Sequence, residues 1–305
     1  MRLRRPDMDN TTKQDVETFS QWLLVVGNGE LGIPETNGPC NAKKIEIPSQ
    51  YIIQSHVSAI EELIGFIYDN FTLQNPMVLN LSEKAIICLK NETTHEINMM
   101  ILKKTPGNSK TYLSTDSIIP NAGCHGDPGL LYPPEYLDML NFNGIPPHQL
   151  ELKINAPIIL MRNISPTSGL CNGTQFIITH LLSRVIEAQI MTRTTIGHRV
   201  YIPRISLTHT DNELLFTFKR KQFPIKLFYA MTINKSQGQS LKKIGIYLPQ
   251  PIFGHGQLYV ALSRATSPQS LKVLTIPQPN EPANLTRNIV YSDFLSEIDS
   301  TFNHN

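Results

Sequence analysis

The stretch from Phe223 to Ile276, FPIKLFYAMTINKSQGQSLKKIGIYLPQPIFGHGQLYVALSRATSPQSLKVLTI, sets the tightest limit on what this chain can fold into. Apolar runs rich in aromatic and β-branched residues, at Ile225–Ile233, Ile244–Leu248 and Leu271–Ile276, read as short buried strands. Two polar clusters with short helical segments stand between them, Thr232–Gly238 and Gly256–Arg264. That alternation predicts a parallel α/β sheet. Ligands of such sheets collect beyond the carboxyl ends of the strands, where both clusters are expected. A lysine, amides, hydroxyls and an arginine gathered there suit phosphate.

Composition narrows the class. The 305 residues leave room for more than one domain, and 40% hydrophobic with 17% charged residues is the balance of a chain that buries a core. Lys and Arg number 27 against 25 Asp and Glu, a net charge of +2, so a nucleic-acid surface has to be a local patch. Cys40, Cys88, Cys124 and Cys171 form no C-x-x-C pair, which favours reduced thiols over a disulfide or zinc framework. No membrane-spanning stretch or secretory signal is evident, and sequons such as Asn163-Ile164-Ser165 are read as chance matches.

Along the chain, Arg2, Arg4 and Arg5 precede an amphipathic helix with Val16, Phe19, Trp22, Leu23 and Val26 on one face and Thr11 or Thr12 as its cap. Gly27-Asn28-Gly29-Glu30-Leu31-Gly32 matches G-x-G-x-x-G, yet it follows a helix and runs into Ile33-Pro34, so it reads as a helix stop with turns. A helix is expected over Ile60–Tyr68, a strand over Lys84–Leu89 and a helix around Thr94–Ile101. Pro128, Pro133, Pro134 and Gly144 mark a boundary. Strand candidates follow at Ala156–Arg162, Gln175–Leu182, Val185–Thr192 and Arg199–Leu207, with a tight-turn signal at Asn172-Gly173. Successive strands without helices suggest a small antiparallel barrel. Leu214–Lys219 is expected to lead back to the parallel sheet.

The wording AMTINKSQGQSL and HGQLYVALSRATS resembles motifs V and VI of superfamily-one helicases, most closely the PIF (petite integration frequency) family and its Helitron-like branch. Met1-Arg2-Leu3 and Phe19–Glu30 resemble its motif IV region. Ala85–Asn98 and Thr111–Ile118 resemble the segments that follow, and Leu140–Thr174 looks like its small inserted domain. The resemblance implies a RecA-like P-loop NTPase-type α/β sheet, the second motor domain, with an inserted SH3-like β-barrel. Residues 1–125 and 215–305 would form the motor domain, and 126–214 the linker and barrel.

The resemblance also implies roles. Arg264 would reach a γ-phosphate held by the first motor domain, and Arg2 would be a second phosphate sensor. Gln257 and Gly238 would join Arg264 around nucleotide. Thr232, Lys235, Ser236 and Gln237 would touch single-stranded DNA, with Lys90 and Asn91 at an equivalent strand-to-helix junction. The plainer readings are an arginine paired with a carboxylate, a polar residue at a helix start, and a capped, solvated turn. His180, His198 and His255 lack metal-ligand spacing, so no zinc site is expected.

The sequence contains no G-x-x-x-x-G-K-[ST]; Gly107-Asn108-Ser109-Lys110-Thr111 lacks the second glycine and precedes a strand-like run. The resemblance implies ATP and Mg2+, which with no such loop here are expected to rely on a first motor domain upstream of Met1; it likewise implies the carboxyl-terminal half of a 5′-to-3′ DNA helicase, a nuclear monomer acting on single-stranded DNA. A single-stranded DNA-binding remnant of a transposon and a protein-interaction module built on the barrel are the other readings.

Overall fold

A computed structural model describes residues 10–36, 38–120, 132–192, 196–211, 214–277 and 281–291. In chain order the elements begin with α1 (Asn10–Gly27), β1 (Ile33–Pro34), β2 (Ala42–Glu46), α2 (Ala59–Ile67), α3 (Asn70–Gln74), α4 (Val78–Ser82), β3 (Lys84–Cys88) and α5 (Asn91–Lys104). There follow β4 (Lys110–Leu113), β5 (Thr115–Pro120), α6 (Pro134–Met139), β6 (Gln149–Leu152), β7 (Pro157–Leu160), β8 (Gln175–Leu181), β9 (Val185–Ile190), β10 (Arg199–Pro203), β11 (Ile205–His209) and β12 (Phe216–Gln222). The chain continues through β13 (Ile225–Leu227), β14 (Ala230–Thr232), α7 (Ile233–Ser236), β15 (Lys243–Leu248), α8 (Gln257–Leu262), β16 (Leu271–Thr275) and β17 (Leu285–Ile289). Two compact units result. One comprises 1–75, 83–98 and 229–305; the other comprises 76–82 and 99–228.

The first unit holds a parallel sheet in the order β14-β3-β15-β16. Its strands are buried almost end to end, as KAIIC, KIGIYL and LKVLT require when both faces are covered. Helix α2 turns Leu63, Ile64 and Ile67 onto β15 and β16. At Gly245 a Cβ would stand 2.9 Å from Leu63 Cδ1, so glycine lets helix and strand approach. Helix α1 buries Val16, Phe19, Leu23 and Val26, while Thr11 and Thr12 lie inside it rather than at its cap. An antiparallel ribbon, β1-β2-β17, completes the unit. There Arg287 donates to both oxygens of Glu35 at 2.6 and 2.8 Å, and this bond holds the Glu35 carboxyl below the usual range.

The chain leaves this unit after Asn98 and returns at Tyr229, and buried polar groups fasten the two points. Asn98 Oδ1 accepts from the amides of Tyr229 and Ala230, both at 2.9 Å, and its Nδ2 donates to the Ala230 carbonyl at 3.1 Å. The Tyr68 hydroxyl donates to the Tyr229 carbonyl at 2.7 Å. Burial pushes the Tyr68 phenol well above its ordinary pKa.

The second unit contains a five-stranded antiparallel sheet, β10-β9-β8-β7-β13, a three-stranded one, β11-β12-β5, and the pair β4-β6. Leu137, Ile145, Leu207, Phe216 and Phe218 form a core on one side of the three-stranded sheet. Arg220 is fully buried beside them. It makes a bidentate pair with Asp116 and donates to the carbonyls of Pro146 and Leu137 at 3.1 Å, so its donors are satisfied away from water.

Three expected strands change. The run Ile225–Ile233 is not one strand: Ile225–Leu227 pairs antiparallel with β7, while Ala230–Thr232 pairs parallel with β3. Phe228 and Tyr229, both buried, carry the chain from one sheet to the other. Arg199–Leu207 likewise divides around Arg204 between two sheets. Phe216–Gln222 pairs with β5 and β11 rather than leading directly into the parallel sheet.

Two outcomes follow from this burial. Asn98→Ala leaves two amides and a carbonyl without their partner and should cost about 2–4 kcal/mol in urea unfolding, whereas a loss under about 0.5 kcal/mol would show that the clasp is dispensable. Burial pushes the Cys88 thiol up to about 12 from an ordinary value of 9.0. The folded state keeps that thiol protonated, so its contribution is complete below pH 9.0 and is lost as pH rises toward 12. Iodoacetamide at mildly alkaline pH should therefore label exposed Cys40 in the folded chain and spare Cys88 until urea is added.

Candidate nucleotide and nucleic-acid interface

Register aligns three strand ends. Thr232 and Tyr247 both stand beside Cys88, so β14, β3 and β15 finish at one edge of the parallel sheet. The chain emerging from β3 enters α5 through Lys90 and Asn91, and the chain emerging from β14 enters α7 directly. The structure thus brings together Lys90, Asn91, Thr232, Lys235 and Gln237 at and after neighbouring strand ends. Lys90, Asn91, Lys235 and Gln237 are exposed and Thr232 is half-buried. Ser236 differs: it is fully buried and its hydroxyl donates to the Ile233 carbonyl at 2.7 Å, closing the α7 turn. Its side chain does not lie on the exposed side where the sequence reading put it.

The second cluster spans the sheet instead of sitting at that edge. Gln257 opens α8 after β15, half-buried, and its Oε1 accepts from the Gly254 amide at 3.1 Å, so it fastens the loop entering the helix. Leu258, Ala261 and Leu262 form the buried face of α8. The helix runs back against the strands and delivers Arg264 to the opposite edge. There the Leu241 amide donates to the Arg264 carbonyl at 3.1 Å, and a parallel bridge joins Leu241 to Ala265 ahead of β15 and β16. Sequence reading placed both clusters beyond carboxyl ends; Arg264 lies at the amino-terminal edge, because a helix between parallel strands must reverse direction.

The Arg264 side chain is half-buried and held by neutral acceptors. Nε donates to the Val260 carbonyl at 2.9 Å, Nη1 to the Gln239 carbonyl at 3.1 Å and Nη2 to Ser263 Oγ at 2.9 Å. Among the described residues no carboxylate pairs with it. Gln239, which sequence reading passed over, joins the two clusters. Its carbonyl accepts from Arg264 and its side-chain Nε2 donates to the Lys235 carbonyl at 3.1 Å. Gly238 turns the chain between them at φ +76, where a Cβ would be strained although open space surrounds it. The sequence signal for Gln239 was its place inside the stretch AMTINKSQGQSL, one residue beyond the first cluster.

Arg2 and Cys124 lie outside the described residues. His180 faces Glu187 at 3.4 Å, and His255 stacks on Tyr291 and accepts its amide hydrogen. In the second unit Asp116, Asp138 and His148 bring ligand-type atoms within 4.8 Å of one another. Both Asp116 oxygens already accept from Arg220, so the guanidinium occupies the place a cation would need. No helix among the described residues is long and apolar enough to cross a membrane.

Residues 135–181 match the family described as DNA helicase Pif1, 2B domain. The human ATP-dependent DNA helicase PIF1 is 36% identical over 126 residues, 41% of this chain and 19% of that protein. The ATP-dependent DNA helicase Pif1 of Campylobacter jejuni is 35% identical over 139 residues, covering 43% and 31%. The matched segments therefore span less than a third of these relatives. In fold, the chain resembles the crystal structure of Pif1 helicase from Candida albicans, with a TM-score of 0.59 and 19% identity over 96% of this chain and 59% of that one. It also resembles Bacteroides Pif1 in complex with ADP-AlF3 and single-stranded DNA, with a TM-score of 0.52 and 17% identity over 94% and 54%. The chain is thus similar to Pif1 DNA helicases in its mixed α/β fold, built on a parallel sheet like theirs, and in the sequence of the matched segments.

Proposed function

We propose that this chain forms the second motor domain, with its inserted module, of an ATP-dependent 5′-to-3′ DNA helicase. The observation that carries this reading is Arg264: a half-buried guanidinium that touches only neutral acceptors and has no carboxylate partner among the described residues. Such a cation is available to an anion, and its planar fork suits phosphate. We assign it to the γ-phosphate of a nucleotide, with Gln257 and Gly238 shaping the adjoining loops and Arg2 as a second sensor. Thr232, Lys235, Gln237, Lys90 and Asn91 are assigned to the backbone of single-stranded DNA, with Ser236 supporting their turn from inside.

In this reading the first unit is the RecA-like motor domain and the five-stranded sheet of the second is the SH3-like inserted barrel. ATP and Mg2+ fit only as shared ligands. This sequence has no Walker A loop, so a first motor domain would hold the phosphates and metal while Arg264 adds charge from this side. A nuclear monomer working in DNA repair, recombination and telomere maintenance is the corresponding cellular reading. The lack of a Walker A sequence also favours a second possibility, a single-stranded DNA-binding module of Helitron origin that does not turn over nucleotide.

Purified alone, the chain should bind oligo-dT without sequence preference and show no DNA-stimulated ATP hydrolysis. Lys235→Ala should weaken that binding for all sequences alike and flatten the salt slope by about 0.7, one lost single-strand phosphate contact. Arg264→Ala should alter it far less. If Arg264→Ala abolishes binding in a folded protein and Lys235→Ala does nothing, the assignments are wrong; ATP hydrolysis by the chain alone would overturn the shared site.

A further inference from the structure

The basic run Lys219-Arg220-Lys221 on β12 is divided by strand alternation. Arg220 points inward and is sealed against Asp116, while Lys219 and Lys221 point outward, half-buried and exposed respectively. Register builds a face around them. Lys221 stands between Thr115 of β5 and Ser206 of β11, and Lys219 stands between Ser117 and Thr208. All four flanking hydroxyl residues are exposed.

What this face lacks is as informative. Asp116 is the only carboxylate on the three strands, and it is turned inward to Arg220. Among the described residues no carboxylate pairs with Lys219 or Lys221. The aromatic residues of these strands, Phe216 and Phe218, are buried in the core on the opposite side. Among the described residues of the three strands, the outward side therefore offers two ammonium groups set among hydroxyl donors, with no acid and no ring. Ammonium and hydroxyl groups are backbone-phosphate contacts. Platforms for unstacked single strands instead rely on exposed aromatic side chains.

We propose that the outer face of the β11-β12-β5 sheet docks the sugar–phosphate backbone of double-stranded DNA, independently of sequence. This rests on the reading of the chain as a DNA helicase component and adds a duplex contact separate from the strand-end residues at Lys235. The paired charges, with no countercharge among the described residues, supply the complementarity. Burial of Arg220 and Asp116 beneath the face holds the central strand firmly against the core that the duplex would press on.

The test measures affinity of the 305-residue chain for a blunt duplex oligonucleotide and for oligo-dT of equal length across a salt series. Replacing Lys219 and Lys221 together by alanine should lower duplex affinity about tenfold at low salt and flatten the duplex slope by about 1.8, two contacts at 0.9 each. Binding of oligo-dT should change less than about twofold, while Lys235→Ala should show the reverse pattern. The double arginine variant, K219R with K221R, should keep duplex binding. An unchanged duplex affinity and slope in the alanine variant would overturn the proposal, as would an equal loss on both probes or no duplex binding by the unaltered chain. Loss of the oligo-dT pattern alone would instead indict the strand-end assignment and leave the duplex face standing.

Discussion

Everything in the first unit depends on closing an excursion. Asn98 and Tyr229 are 131 positions apart, yet they meet through hydrogen bonds of 2.9 Å. Bringing distant points of a chain together costs conformational entropy that grows slowly with the length of the loop. The intervening residues form their own sheets and their own core, so much of that cost is met within the second unit. The remainder is a matter of position. The Asn98 amide presents both an acceptor and a donor, and the backbone at Tyr229 and Ala230 has complementary groups. With Tyr68 donating to the Tyr229 carbonyl, β14 is placed beside β3 in one register. That register puts Thr232 level with Cys88 and sets the two exposed lysines, Lys90 and Lys235, after neighbouring strand ends.

Two arginines show how burial and partners decide role. Arg220 is fully buried with Asp116 and three carbonyls, a satisfied ion pair whose removal of one partner would strand a charge. Arg264 is half-buried against carbonyls and one hydroxyl. The first has its countercharge inside the protein. The second has none among the described residues, which is the electrostatic condition for an outside anion. Its bond to the Gln239 carbonyl, and the bond from Gln239 to the Lys235 carbonyl, tie that cation to the turn bearing the exposed lysine. An event that draws the guanidinium away acts on the same short segment that carries Lys235.

Much of the architecture was legible in the chain. Apolar runs at Lys84–Leu89, Ile244–Leu248 and Leu271–Ile276 could be read as buried parallel strands because a doubly covered strand needs no polar alternation, and α1 was legible from its helical period. The glycines after α1 read correctly as turns, since a dinucleotide loop needs a strand before it. Where a strand changes sheets, periodicity gives no warning: Ile225–Ile233, apolar but for Lys226 and Thr232, reads as one strand although it forms two. Arg199–Leu207 likewise reads as one strand and divides between two sheets. The partner of each half is decided by segments far away in sequence.

The residue types of the candidate site, and the order in which they occur, were determined by the sequence itself, because strand–turn–helix chemistry is local. Which of them face solvent was decided only by the tertiary structure. Ser236 sits between exposed Lys235 and exposed Gln237, yet one hydrogen bond to Ile233 turns it inward. Arg264 was recognisable as a cation, but its edge of the sheet followed from the return direction of α8 and its lack of a countercharge from packing. Lys219-Arg220-Lys221 reads as one basic run in sequence, and pairing with Asp116, 104 positions away, separates it into a buried arginine and two outward lysines. Local pattern chooses elements; long-range hydrogen bonds and burial choose faces.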